Sequence, residues 1–131
     1  MSRFSTVNLL DVEDSMGERA PGIEVRFGRK HLDSRDLGVT LVRYGANLRN
    51  PMAHSHREQE EAYVVIAGSG RALLDGEVVE LRQWDVVRVA PEVVRVFEAG
   101  PDGLEMIAVG GPKPPEGDGV MGVASWPGDD A

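Results

Sequence analysis

Short apolar runs separated by glycine, proline and acidic residues make up most of this chain. Eight of these runs have the length and the Val, Leu and Ile content of β-strands, and no window keeps apolar residues at helical spacing over three turns. We therefore predict an all-β protein with little helix. The predicted strands are residues 23–27, 39–44, 62–68, 71–75, 77–81, 85–90, 94–99 and 104–110.

Two turn signals predict how these strands connect. Asp75-Gly76 separates two runs, and Asp-Gly is a strong hairpin signal because both turn positions need a positive φ. Residues 100–103, Gly-Pro-Asp-Gly, give a second turn signal between the last two runs. Hairpins in series produce antiparallel sheet. Eight short strands at regular spacing are typical of a sandwich or a barrel.

The two ends of the chain differ from its centre. Residues 1–22 are mixed and acidic, and residues 112–131 hold four of the eight prolines. At this length we predict one domain, with an N-terminal arm over 1–22, a β-barrel over 23–111 and an extended C-terminal arm over 112–131. Trp126 indicates that part of the C-terminal arm packs on the barrel or on a partner subunit. The alternative is a disordered terminus.

Charge and composition argue against several classes of partner. Fourteen Lys and Arg against 22 Asp and Glu give a net charge of -8, and the basic residues are scattered. Nucleic acid and anionic membranes would repel such a chain. It has no cysteine for disulfides or thiolate metal sites, no apolar run near the roughly 20 residues of a membrane span, and no apolar core of a signal peptide. We expect a soluble, cytoplasmic protein with neither nucleic acid nor membrane as partner.

His54 and His56 are the candidate chemical groups. In an extended strand, side chains two residues apart share a face, so both imidazoles can converge on one ion. Glu61 opens the next apolar run, and the intervening residues can turn the chain and bring its carboxylate opposite the histidines. Two histidines and a carboxylate form the facial set of non-haem iron, and also a zinc set with an open position. The alternative is a solvated loop edge at which neighbouring acids only add solubility.

The spacing of these residues resembles a known motif. His54-x-His56, four residues, Glu61, six residues and Gly68 is similar at every position to the first motif of the cupin superfamily, H-x-H-x(3,4)-E-x(6)-G. The resemblance covers roughly residues 37–110. It implies an antiparallel double-stranded β-helix, or jelly-roll barrel, and a homodimer formed through the terminal strands.

The second cupin motif, roughly G-x5-P-x-G-x2-H, is matched only at Pro91. Trp84 takes the place of its first glycine, and Arg95 takes the place of its ligand histidine. An arginine is always cationic and cannot coordinate a metal. Facing inward, Arg95 would pair with Glu61 or offer its fork to an anionic ligand; facing outward, it would meet water. Tyr63 shares a face with Glu61 by strand alternation, and we predict that it lines the same cavity. The alternative is packing within the barrel, with its hydroxyl reaching solvent or a backbone group.

Three functions stay open at this point. In the first, the chain is a metal-dependent cupin whose divalent ion, Fe, Mn, Ni or Zn, is held by His54, His56 and Glu61. Arg95 and Tyr63 would then contact a small, anionic ligand, with no organic cofactor, and an enzyme of this kind would be an oxygenase or isomerase. In the second, the barrel is metal-free, either degenerate or ligand-binding, and Arg95 pairs with Glu61. In the third, the barrel serves mainly for oligomerisation. No residue is singled out as catalytic.

Overall fold

The computed structural model describes residues 3–128, so the outermost residues of both predicted arms, 1–2 and 129–131, lie outside it. Within this range the chain forms strands and two short 3-10 helices and no α-helix, which confirms the all-β prediction. None of its helices has the length and apolar character needed to cross a membrane. The 3-10 helices are Leu9–Asp11 and Gly17–Arg19. The strands are β1 Ile23–Phe27, β2 Gly38–Tyr44, β3 Ala53–His56, β4 Glu61–Leu74, β5 Glu77–Arg82, β6 Val86–Val89, β7 Arg95–Gly110 and β8 Gly119–Gly122.

The strands form one curled antiparallel sheet, the predicted jelly-roll architecture. Its main path runs β1-β2-β7-β3-β8. Strand β4 pairs with β7 along most of its length, and it also pairs with β5 and β6. Two strands, β3 and β8, were not among the predicted runs because their sequences, Ala-His-Ser-His and Gly-Val-Met-Gly, contain no run of Val, Leu and Ile.

The two turn predictions had opposite outcomes. Asp75 and Gly76 have φ values of 49° and 86° and join β4 to β5, which confirms the hairpin. The predicted turn at residues 100–103 is wrong, because β7 runs through this segment and both of its halves pair with β4. The predicted strands 62–68 and 71–75 likewise belong to one strand, β4. The glycines from which these turns were predicted lie instead at bulges in two long, bent strands, β4 and β7.

The motif glycine Gly68 lies at one of these bulges. Its φ is 73°, and a Cβ atom there would lie 2.1 Å from the carbonyl oxygen of Gly103 on β7. The register between the strands shifts next to it, between Gly68 and Gly70. A side chain at Gly68 would therefore meet both an unfavourable backbone conformation and a neighbouring backbone.

The main apolar core fills the inside of the barrel. It is built from inward side chains of β1, β2, β4, β5, β6 and β7. Its buried members are Ile23, Tyr44, Tyr63, Val65, Ala72, Leu81, Val89, Phe97, Ala99, Leu104, Met106 and Ala108.

A second cluster on the barrel exterior anchors the C-terminal arm. Trp126 is 3 % exposed and packs with Ala53, Leu73 and Val96. The guanidinium groups of Arg49 and Arg71 lie 4.7 and 5.1 Å from the centre of its ring, at cation–π distance. The prediction that part of this arm packs is confirmed, and the contact is with the chain's own barrel. The boundaries of barrel and arms stay a prediction.

The N-terminal arm also lies against the barrel. Asp14 Oδ1 accepts hydrogen bonds from the backbone N–H groups of Met16 and Val25, each at 3.0 Å. Val12 is buried, and its carbonyl oxygen accepts a hydrogen bond from the Arg26 guanidinium. These contacts tie the arm to β1.

Substituting alanine at two glycines tests the close approach of β4 and β7. Gly68 and Gly76 both have positive φ, but a Cβ at Gly76 would have no atom within 4 Å. We expect Gly76→Ala to cost about 1 kcal/mol from backbone strain alone. Gly68→Ala should cost about 1–3 kcal/mol more, because overpacking adds to the strain. Urea unfolding of both variants measures the difference, and equal losses would contradict the packing argument.

Candidate metal centre

The candidate site lies where β3 approaches the first residues of β4 and β7. His54 and His56 lie on β3, Glu61 is the first residue of β4 and Arg95 is the first residue of β7. His54 pairs with Arg95 in the sheet. Glu61 pairs with Gly110, at the far end of β7, yet its carboxylate contacts Arg95 at the near end. The curl of β7 therefore assembles this site from residues distant in the chain.

The two histidines and Glu61 are close enough to share an ion. Glu61 Oε1 lies 3.6 Å from His54 Nε2 and 3.3 Å from His56 Nε2. The three ligand atoms all lie within 4.8 Å of one another. Metal–ligand bonds of about 2.1 Å place neighbouring ligand atoms about 3.0–3.4 Å apart, so the two distances from Glu61 to the imidazoles need little adjustment. The structure thus brings together the three predicted ligands.

Arg95 faces the interior. Its side chain is 0 % exposed, and Nη1 donates to Glu61 Oε1 at 3.1 Å. Nη2 donates to the carbonyl oxygens of Ala90 and Pro91 at 2.7 and 3.2 Å. Of the two orientations that the sequence left open, the structure shows the inward one, with Glu61 as partner. Contact between Arg95 and a ligand stays a prediction.

Tyr63 also donates to the same oxygen of Glu61. Its hydroxyl lies 2.6 Å from Glu61 Oε1, and its ring packs on Phe97 with 4.7 Å between centroids. Burial, reinforced by the negative charge of Glu61, raises the pKa of Tyr63, so the phenol stays a neutral donor. Contact between Tyr63 and a ligand stays a prediction.

Glu61 is a carboxylate that stays ionised despite its burial. Burial alone would raise the pKa of Glu61, but the interactions with His54, His56 and Tyr63 outweigh it and lower the pKa. An ionised carboxylate facing two imidazoles is the form that a cation needs.

Asp118, in the C-terminal arm, was missed by the sequence analysis. Its side chain is buried, and Oδ1 lies 2.8 Å from His56 Nδ1. Its other oxygen, Oδ2, accepts from the backbone N–H groups of Glu58 and Gln59, both at 2.8 Å. Burial would raise the pKa of Asp118, but these hydrogen bonds lower it to about 2. Asp118 lies between two glycines in a Pro-rich arm, so its local sequence indicates only a turn.

His56 is held by one ring nitrogen and presents the other to the site. The interaction with Glu61 raises the pKa of His56 against the opposing effect of burial, and Asp118 adds to the rise. Its buried Nε2 atom lies 3.3 Å from Glu61 Oε1 but is not aligned for a hydrogen bond with it or with any other group among residues 3–128. A buried polar atom without a partner is costly, and a metal ion would provide one. The residues present therefore fit a divalent ion.

Comparison with known proteins identifies the fold. No protein-family model and no curated protein matches the sequence. Among solved structures, a cupin protein from Bacteroides fragilis is 22% identical, with 96% of this chain and 100% of that chain covered and a TM-score of 0.68. The polyketide cyclase RemF from Streptomyces resistomycificus is 18% identical, with 95% of this chain and 88% of that chain covered and a TM-score of 0.72. The chain has the cupin fold, as its first motif indicated.

A third protein has a similar structure, and a variant of it was solved with a small molecule. Pac13, a nucleoside dehydratase, is 17% identical to this chain, with 91% of each chain covered and a TM-score of 0.74. A Streptomyces Pac13 variant with uridine is 16% identical, with 94% of this chain and 93% of that chain covered and a TM-score of 0.75. At these identities the similarity concerns the fold.

A double-mutant cycle tests the buried pair of Glu61 and Arg95. Removing one charge leaves the other buried, so Glu61→Gln and Arg95→Met should each cost about 3 kcal/mol in the metal-free protein. The free energy of unfolding lost in the double variant should be smaller than the sum of the two single losses, by more than about 1 kcal/mol. Urea unfolding in the presence of a chelator measures these energies.

An exposed pair provides the control for this cycle. Glu60 and Arg88 are 2.9 Å apart, and both side chains are more than half exposed. Their coupling should lie between about 0 and 1 kcal/mol because water screens it. A Glu61–Arg95 coupling no larger than this would contradict a buried ion pair.

Proposed function

We propose that this protein binds a divalent metal ion through His54, His56 and Glu61, with open coordination positions for a small molecule. The state of His56 is the observation that carries this proposal. Its Nδ1 is engaged by Asp118, while its buried Nε2 points toward Glu61 without a hydrogen-bond partner in the described chain. Metal-binding histidines are commonly held in this way by a carboxylate on their other nitrogen.

The surrounding side chains would determine how such an ion is bound. When bound, the ion supplies Lewis acidity at its open positions. Arg95 and Tyr63 both donate to Glu61 Oε1, so this oxygen has less electron density left to share. A positive guanidinium near the site also opposes a second cation. We therefore propose weaker metal binding than a four-ligand site would give.

The class of ligand is proposed from the setting of the site. His54 is about one-third exposed at its side chain, while His56 and Glu61 are more deeply buried, so solvent reaches the site from the side of His54. Pac13 with uridine and the polyketide cyclase RemF are similar in fold and act on or hold small organic molecules. These facts support a small organic molecule as the ligand and leave the reaction unassigned.

A metal-free barrel is the second candidate, and the position of Arg95 favours it. The guanidinium lies 3.1 Å from Glu61 and already balances its charge. In this alternative the ion pair takes the place of the metal and holds β4 to β7. Any ligand would then bind without coordination to an ion.

Metal binding by the purified protein separates the two candidates. We expect one Fe, Mn, Ni or Zn ion per chain, measured by metal analysis and then by titration of the chelated protein. His54→Ala should weaken binding at least about tenfold, because two ligands hold an ion poorly. Arg95→His, which restores a fourth ligand and removes the opposing charge, should strengthen it by a similar factor.

His31→Ala is the matched control for the metal titration. His31 is half-exposed, pairs with Glu13 at 3.0 Å and lies outside the site, so its loss should leave binding unchanged. Failure of all four metals to bind stoichiometrically would contradict the proposal. Unchanged thermal stability of His54→Ala, with and without metal, would then support the metal-free barrel.

We also propose that the protein forms a homodimer through the edge of β6. This strand pairs with β4 alone within residues 3–128, so its other edge is available to a second chain. Val86 on β6 is exposed, and Trp84 just before it is 68 % exposed with a φ of 74°, which is unfavourable for so large a residue. Part of each arm, by contrast, already packs on the chain's own barrel.

Sedimentation velocity tests the homodimer. The wild type should sediment as a dimer at micromolar concentration, and Val86→Glu should shift it to monomer because a buried, unpaired charge is costly. Val123→Glu, at a still more exposed apolar residue on the C-terminal arm, should leave the dimer intact. A monomeric wild type would contradict the proposal.

A further inference from the structure

We propose that Asp118 is a positioning residue that sets the tautomer of His56 and thereby makes the C-terminal arm part of the metal centre. This inference rests on the proposed metal binding. Asp118 lies 62 positions from His56 in the chain, and their side chains meet at 2.8 Å.

The hydrogen bonds of Asp118 fix the direction of its carboxylate. Oδ2 accepts from two backbone N–H groups, those of Glu58 and Gln59, and both residues lie in the loop between β3 and β4. With one oxygen held by two donors, the carboxylate cannot rotate without losing both bonds. Oδ1 is therefore held toward the imidazole of His56.

This geometry determines which nitrogen of the neutral imidazole carries the proton. Both ring nitrogens of His56 face an ionised carboxylate, which only accepts hydrogen bonds. Nδ1 makes a hydrogen bond with Asp118 Oδ1 at 2.8 Å, whereas Nε2 lies 3.3 Å from Glu61 Oε1 and makes none in the described chain, so Nδ1 is the atom that donates. The lone pair is then left on Nε2, the atom that lies 3.3 Å from Glu61 Oε1. Only this tautomer presents a ligand atom to the site.

The arm that carries Asp118 is joined to the histidine strand by its backbone. β8 follows Asp118 directly and pairs with β3, with Gly119 opposite His56 and Met121 opposite His54. The carbonyl oxygen of Asp118 also accepts from the N–H of Arg57 at 3.2 Å. Docking of the arm and orientation of His56 are thus parts of one arrangement.

Asp118→Asn tests the role of the carboxylate while keeping its shape. The single amide oxygen can still accept from the two backbone N–H groups, which directs the NH₂ group toward His56 Nδ1. This group donates, so the imidazole proton should move to Nε2 and block the ligand atom. Nitrogen-15 NMR of the metal-free protein, at alkaline pH where imidazoles are neutral, reads the tautomer directly. Comparison with His56→Gln assigns the signals.

We expect His56 to carry its proton on Nδ1 in the wild type and on Nε2 in Asp118→Asn. The affinity for Zn²⁺ should fall by roughly 10- to 100-fold in the variant, the loss typical of a removed carboxylate partner. The thermal midpoint should stay close to that of the wild type, because the arm keeps its backbone contacts.

Asp14→Asn is the matched control. Asp14 also accepts hydrogen bonds from two backbone N–H groups, but it lies in the N-terminal arm and contacts no histidine in the described structure. Its variant should change neither the tautomer of His56 nor the Zn²⁺ affinity.

The outcomes separate this inference from the proposed function. A wild-type His56 with its proton on Nε2, or a tautomer that Asp118→Asn does not change, would overturn the role of Asp118. A tautomer that switches in a protein that binds no Zn²⁺ would support the role of Asp118 in orienting His56 and contradict the metal site itself.

Discussion

The pairing of β4 with β7 is the contact on which the rest of this molecule depends. The two strands stay paired from the hairpin end of β4 to its start, and β2, β3, β5 and β6 each pair with one of them. Strands of 14 and 16 residues stay paired around a barrel only if they bend, and bulges permit such bending. At one bulge Gly68 and Gly103 let the two backbones approach closely. Because β7 curls, Glu61 can pair with one end of it and contact the other.

The chemistry of the site follows from burying Glu61 at this point. A buried carboxylate needs partners, and one oxygen of Glu61 faces Arg95, Tyr63 and both imidazoles. The cation that balances it in this structure is the arginine. A metal ion would have to share that oxygen with Arg95. The same residues therefore support both a metal site and a metal-free barrel, and a substitution at Arg95 can separate the two.

The C-terminal arm contributes more than a cover for the barrel. Trp126 packs on the exterior at cation–π distance from two guanidinium groups, and Asp118 reaches the imidazole of His56. The strand between these residues, β8, adds itself to β3. Trp126, β8 and Asp118 therefore belong to one segment. The arm that packs on the barrel also carries the carboxylate that contacts His56.

The sequence by itself determined the all-β class, the hairpin at Asp75-Gly76 and the set of His54, His56 and Glu61, because these depend on local alternation, turn chemistry and short spacing. It could not distinguish a turn from a bulge at residues 100–103, since both use glycine and only the continued pairing with β4 separates them. Tertiary structure alone decided that Arg95 faces Glu61, because strand alternation permits either face at the start of a strand. It alone placed Asp118 against His56, because a contact across 62 residues depends on how the chain folds back and leaves no local pattern.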